Sequence, residues 1–215
     1  MDSYDTVIFD LDGTLLNTLE DLTDAVNYAL EKHGFTTHSL DDVRRYLGNG
    51  VKRLMELAIP GGLEAKAFDD TFEDFKAYYK EHAAVKTRPY EDIMETLEEL
   101  KARGIKTAIV SNKMDSVVKD LNKIYFDGLI SVAVGESETI KRKPAPDTVL
   151  KAIDELGSDL KSSVYVGDSE VDIMTAKNAG ITCISVLWGF RDEQTLKDNG
   201  ATFIIDQPLN LLKLL

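Results

Sequence analysis

The sequence predicts an α/β protein: a parallel sheet with helices on both faces, plus a small all-helical domain inserted after the first strand. Three observations lead there. From residue 105 onward short β-rich runs alternate with amphipathic segments of helical period, the pattern of β-α-β units whose helices cover both faces of a sheet. Residues 17–82 carry helical periods broken by glycines and no convincing strand. The strand that precedes them, Val7-Ile8-Phe9, cannot bury two apolar faces alone and must join the later sheet.

That first strand ends in Asp10-Leu11-Asp12-Gly13-Thr14. Asp-Gly is a hairpin signal. Against a hairpin, Asn17-Thr18 reads as a helix cap, and Leu19, Leu22, Val26, Ala29 and Leu30 recur with helical period until Gly34. The unit is therefore strand, acidic turn, helix. Asp10 and Asp12 stand two residues apart and project from one face at the strand's C-terminal end. Two acids so placed repel unless a cation lies between them, which suits a hard metal and acid/base chemistry.

Further helical patterns cover 40–47, 51–58 and 63–83, with breaks at Gly48 to Gly50 and Gly61-Gly62. Residues 1–16 and 83–215 are thus expected to form the core, and 17–82 a helical cap. Pro89 opens the return through a helix over 90–103. Strands are expected over 106–110, 131–134, 163–166, 182–186 and 202–205, and helices over 115–124, 145–156 and 171–179. Gly157 and Gly180 sit where helix C-caps belong. The leucine-rich segment 209–215 is expected to pack on the sheet as a terminal helix.

Composition excludes several function classes. A formal net charge of −13 argues against a nucleic-acid or anionic-membrane surface, both of which attract Lys and Arg clusters. A small anionic substrate is still compatible where a metal or a few cations reverse the local field. Cys183, the single cysteine, lies in an apolar run and reads as a reduced core thiol. His33, His38 and His82 lack metal-ligand spacing. No apolar run approaches the roughly 20 residues that span a bilayer, and no N-terminal targeting signal is apparent, so the expected location is the cytoplasm.

Ligands of open α/β sheets bind beyond the carboxyl ends of the strands. Those ends carry a set: Asp10 and Asp12; Ser111-Asn112-Lys113; Lys143-Pro144 before a helix; and Gly167-Asp168-Ser169-Glu170-Val171-Asp172. On these four motifs, in this order, the chain resembles the haloacid dehalogenase-like hydrolase superfamily over nearly its whole length. The resemblance implies a Rossmann-like core with a helical cap inserted after the first motif.

It also implies roles. Asp10 looks like the nucleophile that takes up a phosphoryl group as an aspartyl-phosphate. Asp12 looks like the general acid and base, which asks its carboxyl to titrate nearer neutrality than a free Asp. Mg²⁺ would be held by Asp10, the Asp12 backbone carbonyl and Asp168. Ser111 and the Asn112 amide would donate to phosphoryl oxygens while Lys143 offsets their charge. Asp172 and Thr14 would stand behind these groups, Asp172 orienting Lys143 or a metal-bound water. An acid at position 12 is the mark of a phosphatase or phosphomutase rather than a dehalogenase or a transport ATPase.

Within that superfamily the chain is most similar to bacterial phosphoglycolate phosphatases. The segments are Tyr46-Leu47-Gly48-Asn49-Gly50-Val51, Arg88-Pro89-Tyr90, Lys141 to Pro146, and Val186-Leu187-Trp188-Gly189. The expected substrate is a small phosphorylated metabolite, 2-phosphoglycolate first, with a pyrophosphatase, a sugar-phosphate phosphatase or a β-phosphoglucomutase-like mutase as alternatives and a silent scaffold as a remote one. Gly48, Asn49, Gly50, Lys52 and Arg53 of the cap are the expected readers of a substrate carboxylate. No nucleic acid or membrane partner is expected, and the chain is expected to be a monomer or homodimer.

Overall fold

The computed structural model describes residues 4–215. In chain order the elements are β1 (Thr6–Phe9), β2 (Leu16–Asn17), α1 (Leu19–Lys32), α2 (Leu40–Tyr46), α3 (Gly50–Ala58), a 3-10 turn (Gly62–Glu64), α4 (Phe68–His82), β3 (Arg88–Pro89), α5 (Ile93–Ala102), β4 (Lys106–Met114), α6 (Asp115–Phe126), β5 (Val132–Glu136), α7 (Asp147–Leu156), β6 (Ser163–Gly167), α8 (Glu170–Ala179), β7 (Thr182–Val186), α9 (Glu193–Asp198), β8 (Phe203–Ile205) and a closing 3-10 segment (Pro208–Lys213). They fall into two compact units, one made of the chain through Leu16 with Pro89–Leu215, the other of Asn17–Arg88.

The first unit holds a six-stranded sheet in the order β5-β4-β1-β6-β7-β8, parallel throughout. After β1 the chain builds β4 and β5 on one side of it and β6, β7 and β8 on the other, so the direction of winding reverses at β1. A reversal of this kind opens a crevice beyond the strand ends. β1 is buried along its length because both faces are covered. Ile8, Ala108 and Tyr165, side by side in the register, share one apolar face with Val149, Ala152 and Ile153 of α7 and Ala176 and Ala179 of α8. Phe9 and Val166 on the opposite face line a small space with Ile93 of α5, Trp188 and Leu211.

Besides the two-residue strands β2 and β3, which the sequence did not predict, the elements differ from the sequence expectation chiefly in four places. β4 runs on to Met114, past residue 110, with a register shift between Val110 and Met114. The terminal segment is a 3-10 helix rather than an α-helix, with Pro208 at its first turn. α9, six residues capped by the Asp192 carboxylate on the Thr195 N–H, is too short to show a helical period. The helical pattern over 63–83 begins as a separate 3-10 turn after Gly61, which adopts φ 87°.

The second unit packs α1 against α4 around Leu22, Val26, Leu30, Phe75 and Tyr79, all buried. Residues 83–88 belong to this unit, not to the core to which the sequence assigned them. Asp21 of α1, 2% exposed, accepts the N–H groups of Val85, Lys86 and Thr87 at 3.1, 2.9 and 2.8 Å. Such a buried carboxylate fixes the segment that donates to it.

Candidate active site

The site lies in the first unit, where the ends of β1, β4 and β6 meet. The Asp10 N–H continues the ladder of β1 by donating to the Val166 carbonyl at 2.9 Å. The chain then turns through Leu11, whose carbonyl accepts the N–H groups of Leu15 and Leu16. Gly13 adopts φ 91° in this turn, and a Cβ there would stand 2.5 Å from Asp168 Oδ2. A Cβ at Gly189 would stand equally close to the same oxygen and to the Gly13 carbonyl. The Asp168 carboxyl therefore occupies a slot between two glycine backbones. Gly167 makes similar room for Asp172.

Lys143 is the centre of the charge arrangement. Its ammonium, on a side chain 3% exposed, lies 2.7 Å from Asp10 Oδ1 and 2.8 Å from Asp172 Oδ1. It also donates to the Tyr165 hydroxyl at 3.0 Å, which in turn donates to Asp172 Oδ1 at 2.9 Å. The other oxygen of Asp172 accepts the Ser169 N–H and hydroxyl at 3.1 and 2.6 Å. With both its oxygens engaged, Asp172 holds Lys143 and the first turn of α8. Asp168 Oδ2 accepts the Phe190 N–H at 2.6 Å.

Burial raises the Asp10 carboxyl to about 7; Lys143 opposes the rise, and Asp172 and Asp12 add to it. Burial likewise pushes Asp168 well above the carboxylate range, with Asp172 and Asp10 reinforcing it. For Lys143, burial disfavours the charged form, but Asp10 and Asp172 outweigh it and hold the ammonium above its ordinary range. The pocket is short of positive charge. Oxygens of Asp10, Asp168 and Asp172 lie within 4.8 Å of one another, all buried. With Asp12, four carboxylates face two ammonium groups, Lys113 and Lys143. Clustered carboxyl oxygens are hard donors and fit one small divalent cation.

The remaining expected residues are distributed unevenly. Ser111 is buried, with its hydroxyl 3.5 Å from Asp12 Oδ2. The side chain of Asn112 is bound to Lys143: Nδ2 donates to the Lys143 carbonyl at 3.1 Å, and Oδ1 accepts the Lys143 N–H at 2.8 Å. This reciprocal pair fixes the Lys143 backbone to β4. Thr14 is fully buried, and its carbonyl accepts the Trp188 indole N–H at 2.9 Å. Gly48, Asn49, Gly50, Lys52 and Arg53 lie in the other unit. There α3 does begin at Gly50, but Arg53 is paired with Glu56 at 2.7 Å.

Sequence reasoning named Lys113 with Ser111-Asn112 but gave it no role, and it missed Tyr165 and the Phe190 N–H. Tyr165 alternates as an ordinary core residue of β6, and only its hydroxyl, which needs a partner when buried, hinted at more. Lys113 stood in plain view beside Ser111-Asn112. A lysine continuing a buried strand was the signal.

A model of the haloacid dehalogenase-like hydrolase family matches residues 7–186. The chain belongs to that family. It is 34% identical over 210 residues to a phosphoglycolate phosphatase of Aquifex aeolicus, covering 97% of this chain and 95% of the relative. It is 32% identical to a protein of Caldanaerobacter subterraneus provisionally named a pyrophosphatase, covering 97% and 93% of the two chains. Among solved structures, one from Lactobacillus delbrueckii, provisionally named a phosphoglycolate phosphatase, matches with a TM-score of 0.94 at 35% identity, covering 99% of this chain and 98% of that one. Within the family the chain is a phosphatase.

Proposed function

We propose that this phosphatase hydrolyses a small phosphate monoester, 2-phosphoglycolate first, through an aspartyl-phosphate on Asp10 and with Mg²⁺ as cofactor. The observation that carries the reading is the buried Asp10 carboxylate, 2.7 Å from Lys143 and clustered with Asp168. A carboxylate kept dry and braced on one oxygen is a positioned nucleophile. An Asp10 oxygen attacks phosphorus and the P–O bond to the leaving group breaks, with Asp12 giving its proton to the departing oxygen. Water then attacks the phosphorus of the aspartyl-phosphate, Asp12 takes the proton, and the Asp10 carboxylate and inorganic phosphate are released. Ser111 donates to the phosphoryl oxygens and Lys143 offsets their charge. Mg²⁺, held by Asp10, Asp168 and the Asp12 backbone carbonyl, supplies the charge that screens an anionic nucleophile from an anionic phosphate.

Substrate choice is assigned to the Asn17–Arg88 unit, Arg53 first. Its pairing with Glu56 is half-exposed, and pairs of that kind hold less than about 1 kcal/mol, so a substrate carboxylate can displace Glu56. The relative named a pyrophosphatase, close behind the phosphoglycolate phosphatase in identity, makes pyrophosphate the second candidate.

The test is phosphate release from 2-phosphoglycolate, pyrophosphate and hexose phosphates, ranked by kcat/KM. The expected result is activity with Mg²⁺, none in excess chelator, and the highest value for 2-phosphoglycolate. Arg53→Ala should then cost about 2 to 4 kcal/mol with that substrate and far less with a neutral aryl phosphate. A higher value for pyrophosphate replaces the substrate, full activity in chelator removes the metal, and a near-normal Asp10→Asn variant removes the covalent mechanism.

A further inference from the structure

We propose that Lys113 is a positioning residue for the reaction, holding the Asp12 carboxylate in its working orientation. The inference rests on the reading of Asp12 as acid and base. Of the four carboxylates at the site, Asp12 is the least enclosed, its side chain 20% exposed against 9% for Asp10 and 1% for Asp172. A carboxylate on a turn at such exposure turns freely about two side-chain bonds unless something holds it. Lys113 Nζ lies 2.8 Å from Asp12 Oδ1, and the Ser111 hydroxyl lies 3.5 Å from Oδ2. Each carboxylate oxygen thus faces its own donor.

The lysine is itself held. Its side chain is 2% exposed, and its backbone N–H donates to the Ser111 hydroxyl at 3.2 Å. Taking an ammonium out of water costs several kcal/mol, which only a well-made pairing offsets. An apolar side chain would fill the same place on a buried strand at no such cost. β4 also breaks its register with β5 between Val110 and Met114, and irregularities of this kind re-aim side chains beside active sites. The two buried lysines divide the work: Lys143 braces the nucleophile and Lys113 braces the acid and base.

The experiment is a double-mutant cycle of Lys113→Met and Asp12→Asn, read as kcat and KM for p-nitrophenyl phosphate with saturating Mg²⁺. Wild-type turnover of this ester comes first, and its absence overturns the reading of Asp12 as acid and base on which the proposal rests. Lys113→Met keeps the aliphatic stem and should lower kcat by about ten- to a hundredfold, with KM within about threefold. In the Asp12→Asn background the same change should cost less than about twofold, because a residue that acts through Asp12 has nothing left to act on. Equal losses in both backgrounds would overturn the proposal and make Lys113 a direct contact or a support of the fold. A rise in KM with kcat unchanged would assign it to substrate binding and overturn the proposal as well. If Lys113→Met does not fold, Lys113→Gln enters the same cycle with the same criteria.

Discussion

Asp168 shows how much of the site depends on atoms that are missing rather than present. Its carboxyl lies between the backbones of Gly13 and Gly189, and the Phe190 N–H holds one oxygen at 2.6 Å. Gly189→Ala places a methyl group 2.5 Å from that oxygen, closer than non-bonded atoms approach, so the carboxyl or the loop must shift. The change should raise the Mg²⁺ concentration needed for half-maximal activity by about tenfold or more. Calorimetric titration of Mg²⁺ into the variant reports the same loss without turnover. Unchanged affinity would mean that Asp168 reaches the metal equally well from a displaced position. Cys183, by contrast, has its thiol pushed up to about 12 by burial and sits against the apolar face of the sheet. That is the setting of an inert thiol.

At the scale of elements, the return from the helical unit depends on one side chain of α1. Asp21 accepts three successive backbone N–H groups, from Val85 to Thr87, and of these donors Thr87 is buried. Asp21→Ala removes the carboxylate acceptor of that buried N–H and should destabilise the protein by about 2 to 3 kcal/mol in urea unfolding. Asp21→Asn retains one acceptor oxygen and should lose less. Equal stability of all three proteins would show that water replaces the carboxylate without cost. The same principle operates at the candidate active site, where the Asn112 side chain ties the Lys143 backbone to β4 and so fixes the reach of its ammonium.

For the whole molecule, the excess of carboxylates makes stability depend on pH and on cations together. Because burial raises Asp10 to about 7, the folded chain holds that proton more tightly than the unfolded chain, where an Asp titrates near about 4. The stabilisation is complete below about 4 and is lost as the pH rises through 7. Asp168, shifted in the same direction, adds to the loss. The metal-free protein should therefore melt at a lower temperature at pH 8 than at pH 5.5, and Mg²⁺ should raise the melting temperature more at pH 8, where the carboxylates are ionised and bind it. Thermal melts in chelator and in Mg²⁺ at the two pH values check this. An equal effect of Mg²⁺ at both would mean that it binds elsewhere.

The sequence by itself determined the fold class, the helical segment after the first strand and the four clusters of chemistry-bearing residues, because each is written locally. A β-rich run, an acidic turn with glycine and the following helical period span only a few residues, so their local preferences are enough. What only the tertiary structure decided are the pairings between distant residues. Lys143 meets Asp10 across 133 positions, Lys113 reaches Asp12 from a neighbouring strand, and Asp21 draws residues 85–87 into the helical unit from 64 or more positions away. The extension of β4 to Met114 and the commitment of Asn112 to Lys143 were invisible for the same reason. Such contacts follow from strand order and register, which emerge when the whole sheet assembles and which no short window of the sequence encodes.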